Sequence, residues 1–207
     1  MKWISALLPL LLFAGDFWNE KDPQSWTPAE KQQLLSHSPW AKPAQSQINQ
    51  KQARNRSGRV LWEMRSGAPP PMEGMAGAGV IVRWESAAPV RAILPPDELE
   101  RYREYYALSV SGLPVDPPES SQESEDGLIE SALLRIKGKD PVRPEALANI
   151  TRKLEGKQQR VLIFYFPRTY GIQASDKEVH FQFSMGPIRI ENVFYPREMQ
   201  FRGKFSD

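Results

Sequence analysis

An α+β fold dominated by antiparallel sheet is predicted by three features of this 207-residue sequence. Apolar and polar side chains alternate with period two through residues 178–183, 188–190 and 199–205, the pattern of strands with one buried face. The run 161–166 is apolar at every position, which marks a central strand covered on both sides. Helix start signals are confined to a few short stretches. The expectation is a sheet of about six or seven strands with two or three helices, divided into a signal peptide at 1–15, an extended N-terminal arm with a short helix at 16–57, and one α+β domain at 58–207.

Residues 1–15 carry a single Lys2 followed by an apolar run from Ile4 to Ala14 broken by Ser5 and Pro9. A run of about ten apolar residues after one cation fits a secretory signal peptide and falls short of the roughly 18–20 residues a spanning helix needs. Small residues at Ala14 and Gly15 suit cleavage, whereas Leu12 and Phe13 depart from the small residues usual two positions earlier, so an uncleaved weak anchor is the alternative. The expected location is periplasmic or secreted, with no membrane span in the mature chain. There is no cysteine to acylate or to form a disulfide, so burial must hold the fold together.

In the arm, Thr27-Pro28-Ala29-Glu30 places a hydroxyl at N-cap, proline at N1 and glutamate at N3, a complete capping box. The helix it starts reaches about His37, because Pro39 disfavours helical geometry at Ser38. Trp18, Trp26 and Trp40 flank it, so the helix is expected to clip onto a larger body through aromatic anchors.

Residues 60–64 and 80–85 read as strands separated by a loop rich in proline and glycine. Gly74, Gly77 and Gly79 lie in that loop, but a dinucleotide fingerprint needs a strand before its glycines and a helix after them, and here the order is reversed. Pro95-Pro96-Asp97-Glu98 then opens a predicted helix with Leu99, Tyr102 and Tyr106 on one face. With a strand at 107–111, residues 79–112 make a strand, helix, strand unit able to pair in parallel. Residues 116–126 are acidic and polar with two prolines, which predicts a disordered loop without the spacing of a calcium site. A strand is expected at 128–137. A helix is expected at 144–154, where Leu147, Ile150 and Leu154 share a helical face before Gly156. The strands at 179–183, 188–190 and 199–205 are expected to be consecutive antiparallel neighbours, with Gly186-Pro187 as a turn and Gly203 as a bend.

Lys and Arg total 27 against 25 Asp and Glu, a net charge of +2, which lacks the basic excess of a nucleic-acid binder. Two histidines and no cysteine exclude a zinc or copper site of the His and Cys type, and no cofactor is expected. His180 falls on the wet face of its strand, His37 at a helix end, and no G-x-S-x-G elbow occurs, so no hydrolase triad is legible. Glu85 and Asp176 are the inner-sheet acids a glycosidase-like pair would draw on, and each reads as a strand-end charge.

Lys51, Arg54, Arg56, Arg59 and Arg65 cluster around Trp62, and Arg168 follows Phe166-Pro167. Arginine beside aromatic rings binds acidic groups or stacks on aromatic partners. The candidate binding residues are Trp40, Trp62, Arg54, Arg56 and Arg59, joined by Trp18 and Trp26, since these side-chain types concentrate interface energy.

The arm ending Ser38-Pro39-Trp40-Ala41-Lys42, the Val82-Arg83-Trp84-Glu85-Ser86-Ala87 segment, Phe166-Pro167-Arg168, the segment from Asp176 to Phe181 and the terminal 199–205 strand together resemble a group of uncharacterised exported bacterial proteins. Some members of that group are kept alongside GWxTD-domain proteins, although no G-W-x-T-D string occurs here. The resemblance implies export and a shared fold over most of the mature length, and it transfers no catalytic residue. The expected function is that of an exported, non-enzymatic protein binding another envelope protein or a polymer. The rivals are a small hydrolase using an Asp/Glu pair and a carbohydrate-binding module with exposed coplanar aromatics.

Overall fold

The computed structural model describes residues 16–48, 79–94, 101–113, 124–154, 157–186 and 188–207. The signal peptide, the strand at 60–64, the glycine loop before Gly79 and most of the acidic loop lie outside these residues, as do Trp62, Arg54, Arg56 and Arg59.

Among the described residues, nine strands form two antiparallel sheets. The first sheet contains β1 (Ala41–Pro43), β3 (Ile81–Trp84), β4 (Tyr105–Leu113), β6 (Ala146–Leu154) and β7 (Lys157–Pro167) in the order β1-β3-β4-β7-β6. The second contains β2 (Gln45–Ile48), β5 (Leu133–Ile136), β8 (Val179–Met185) and β9 (Ile188–Phe194) in the order β2-β9-β8-β5. A separate hairpin joins β10 (Gln200–Phe201) to β11 (Lys204–Phe205). The described helices are α1 (Phe17–Glu20), α2 (Pro28–Ser36), α3 (Ala88–Arg91) and α4 (Glu125–Ser131). The architecture is α+β and mostly antiparallel, with more strands and one more helix than expected.

The alternation in β8 is realised directly: Val179, Phe181, Phe183 and Met185 are buried and the residues between them are not. Those rings meet the inner face of the first sheet, with Phe164 centred 4.9 Å from Phe183 and 5.8 Å from Phe181, and Trp84 5.3 Å from Phe194. Such ring pairs add about 0.5–1.5 kcal/mol each beyond the area they bury. The all-apolar run in β7 serves two cores, as its composition requires. Leu162, Phe164 and Phe166 enter the space between the sheets, while Val161, Ile163 and Tyr165 join Tyr102 and Ala107 on the outer face.

The arm is docked along its described length. Thr27 Oγ1 accepts from Glu30 N while the Glu30 carboxylate accepts from Thr27 N, closing the capping box. Trp18, Trp26 and Trp40 are all buried. After α2 the chain passes from β1 in one sheet to β2 in the other, and Asn192 Nδ2 pins the crossing by donating to Lys42 O at 3.1 Å and Pro43 O at 3.2 Å.

Four expectations are corrected. β3 and β4 pair antiparallel, Ile81 opposite Ser111, and Tyr102 and Tyr106 share no helix. Tyr102 sits in a 3-10 turn, Arg101–Arg103, and Tyr106 in β4, so the two rings reach opposite faces of one sheet. Residues 144–154 are mostly strand, because β6 pairs with β7 from Ala146 opposite Tyr165 to Leu154 opposite Lys157. Residues 128–137 begin inside α4, whose first turn takes Glu125 and Asp126 from the expected acidic loop, and Ser124 Oγ caps it by accepting from Gly127 N. The terminal strand is instead the β10–β11 hairpin, with Arg202 at φ 52° and Gly203 at φ 74°, the left-handed pair a tight hairpin turn demands.

β4 also carries a bulge, where its pairing with β7 shifts between Val110 and Leu113. Gly112 lies there at φ 82°, and a Cβ on it would stand 2.5 Å from Gly79 O. Only glycine fits both the backbone angle and the close approach.

Candidate functional site

Several described cations meet in a cleft of about 660 Å³ between α3, the turn at Tyr102-Arg103, the turn at Arg168 and the β10–β11 hairpin. Each wall is positioned by a buried contact. Tyr102 is fully buried and stacks on Tyr165 at 6.4 Å, anchoring the turn that carries Arg103. The 3-10 turn Arg168–Tyr170 ends on Gly171 at φ 65°. There the Arg168 guanidinium lies over the Tyr106 ring at 4.7 Å, and its Nη2 donates to Tyr102 O at 3.2 Å. The hairpin is tied down through Ser206, whose N donates to Met199 O and whose Oγ accepts from Ala88 N at 2.7 Å, the first residue of α3.

Arg91, Arg103, Arg168, Arg202 and Lys204 line the cleft with one carboxylate, Asp207. Arg168 Nη1 donates to Asp207 Oδ1 at 3.1 Å, and Nη2 also reaches Asp207 O at 3.4 Å. Arg202 turns outward to Asp22 at 3.4 Å. Arg91 and Arg103 are left without a hydrogen bond or ion pair among the described residues, and the Arg91 Nε is buried without a hydrogen-bond partner. Burial first, then repulsion from Arg168, lowers the Arg91 pKa; Asp207 opposes this and Arg103 adds to it. One side-chain carboxylate among these cations, counting the described residues, leaves the cleft electropositive and ready for anionic groups.

A second arginine cluster is closed. Arg83 and Glu85 lie two residues apart and so on the same face of the first sheet. Glu85 Oε1 accepts from Arg83 Nε at 3.1 Å, Arg83 Nη2 at 2.5 Å and Arg152 Nη1 at 2.9 Å. Arg83 Nη1 donates onward to Leu35 O at 3.4 Å, linking the cluster to α2. Burial would raise the Glu85 pKa, but the two guanidiniums and hydrogen bonding from Arg83 and Ser109 outweigh it, so the carboxyl is held below its ordinary range. Ser109 Oγ and Glu85 Oε2 nevertheless lack hydrogen bonds of ordinary geometry. An ionised carboxylate locked in this way is a poor general acid, which must hold a proton near neutral pH.

Asp176 lies apart from Glu85, in a loop of its own. Asp176 Oδ2 accepts from Gln173 N at 2.8 Å and stands 3.8 Å from Lys139 Nζ, closing a loop. His180 is on the wet face as expected and meets Glu178 at 2.9 Å. Trp40 is fully buried, its Nε1 donating to Ser206 O at 2.8 Å and its ring edge-on to Trp18. It belongs to the core and offers no exposed contact. Of the arginines singled out in the sequence beside aromatics, Arg168 is the one the described structure brings into a site. Arg91 and Arg103 carried no sequence signal, because 11 intervening residues and a polyproline start separate them.

Among the described residues no group of three or more His, Asp or Glu side chains could hold a metal, and no helix is long and apolar enough to cross a membrane. The chain matches no family model, no curated protein and no solved structure.

Proposed function

We propose that this chain is an exported, non-enzymatic binding protein that takes an acidic partner, another envelope protein or a polymer, at the cationic cleft. The observation that carries the reading is the charge imbalance there: among the described lining residues, with Arg202 paired to Asp22, four cations face one side-chain carboxylate, and Arg91 has a buried Nε with no acceptor. The apolar run after Lys2 supports export, as does the resemblance to exported bacterial proteins. The hydrolase alternative has no comparable support, since Glu85 is engaged by two guanidiniums and Asp176 by a loop amide and a lysine.

The test is affinity capture from a native envelope with the full chain as bait, in low and high salt, beside a variant carrying Arg91→Gln, Arg103→Gln and Lys204→Gln. Anionic partners retained in low salt and lost in the variant support the reading, because exposed charge contacts weaken as the Debye length shrinks. A partner set indifferent to both salt and the three substitutions overturns it.

A further inference from the structure

We propose that the cleft is a recognition site for an acidic peptide and that the chain's own Asp207 occupies it until a partner carboxylate takes its place. The inference rests on reading the cleft as the binding surface, and deepens it by naming the ligand and the competitor.

Asp207 displays the chemistry the site accepts. Arg168 reaches it twice, through Nη1 to the side-chain carboxylate at 3.1 Å and through Nη2 to the main-chain oxygen at 3.4 Å. The occupant the site displays is a carboxylate carried on a polypeptide, the chemistry an acidic peptide repeats along its length. Arg168 is prepared for the task by its hydrogen bond to Tyr102 O and its seat over Tyr106. Little side-chain freedom remains to be lost when a ligand arrives.

Asp207 cannot satisfy the whole site. No hydrogen bond or ion pair engages Arg91 or Arg103 among the described residues, and the Arg91 Nε is buried without an acceptor. A run of Asp or Glu side chains would take the Arg168 position and extend to both remaining guanidiniums, which favours the external peptide over the single internal carboxylate. Displacement need not unfold anything. Ser206 is fastened by Trp40 Nε1, Ala88 N and Met199 O, so the movement is confined to Asp207 itself.

An internal competitor weakens an external ligand by the fraction of time it leaves the site free; a site vacant one-tenth of the time binds about tenfold more weakly than an empty one. Asp207→Asn, which keeps the shape and removes the side-chain charge, is the direct probe. Binding of a short poly-L-glutamate peptide to the full chain, followed by titration calorimetry in low salt, is expected to tighten about tenfold in Asp207→Asn. The Arg91→Gln, Arg103→Gln double variant is expected to bind at least about threefold more weakly, with unchanged circular dichroism confirming that it folds.

Equal affinity of wild type and Asp207→Asn, with loss in the double variant, overturns the competitor role and leaves the cleft as the binding surface. Affinity untouched by the double variant overturns the cleft reading itself. Absence of poly-L-glutamate binding in wild type and Asp207→Asn alike, or tighter binding of tripolyphosphate or polygalacturonate than of the peptide, overturns the assignment of the ligand.

Discussion

Around Glu85 and around Asp207 the same ingredients are assembled, a carboxylate among guanidiniums, yet the two clusters do different work because water reaches only one of them. The Arg83 and Glu85 side chains are 4% and 0% exposed; those of Arg168 and Asp207 are 30% and 19%. In the dry cluster an unpartnered charge is costly, so two cations close on one carboxylate oxygen and the assembly ties β3 to β6 and α2. In the wet cluster surplus positive charge is tolerable, and the surplus is what a ligand can use. Arginine beside an acid therefore says little by itself; burial decides whether the pair holds the fold or greets a partner.

The comparison breaks most decisively at Glu85. Glu85→Ala strands the buried Arg83 guanidinium and is expected to lower unfolding stability by about 3–5 kcal/mol, measured by urea denaturation. A loss below about 1 kcal/mol would mean that water already reaches the pair.

Acid should separate the clusters next. The Glu85 pKa is lowered on folding from an ordinary value near 4.5, so its stabilising contribution is complete above that value. It is lost as pH falls below it through the folded pKa. The melting temperature of the wild type should decline in that window, and Glu85→Gln should lack this part of the decline.

Asp207→Asn sharpens the contrast from the other side. Loss of an exposed pair changes stability by about 0–1 kcal/mol in the same urea assay, although its effect on ligand affinity is large. The smallest expected change is at Arg91. Removing a cation crowded by Arg168 should shift stability by no more than about 0.5 kcal/mol, and a large loss there would move Arg91 into the class of Arg83.

How much of this was legible in the sequence depended on the range of the interactions concerned. The capping box at Thr27-Pro28-Ala29-Glu30 is a contact within four residues, and the structure repeats it atom for atom. The alternation in β8 and the double-sided β7 follow from side-chain period alone, so the middle of the sandwich could be read. Residues 144–154 could not. Leu147, Ile150 and Leu154 have helical spacing, but the partner edge of β7 is long enough to pair nine residues of β6, and non-local pairing overrides a weak local preference. Tyr102 and Tyr106 misled for a similar reason, since a spacing of four also fits a turn followed by a strand.

The same rule applies to the sites. Arg83 and Glu85 are two apart and share a face by period, whereas Arg152, their third member, was hidden by the helical reading of its segment. Arg168 stood out beside Phe166-Pro167. Its companions Arg91, Arg103 and Asp207 come from three separate turns, and only the packing of Tyr102 and Ser206 brings those turns together.

The hydrogen bond from Trp40 Nε1 to Ser206 O spans 166 positions of sequence. During synthesis the ring leaves the ribosome long before its acceptor exists, as do Trp26 and its neighbour Phe201, centred 6.4 Å apart. The early aromatic segment must therefore wait, unassembled, for the last hairpin. A chain wired in this order has high contact order and closes its core only once the β10–β11 hairpin has been made. Indole fluorescence from that segment is thus a clock for the docking of the β10–β11 hairpin.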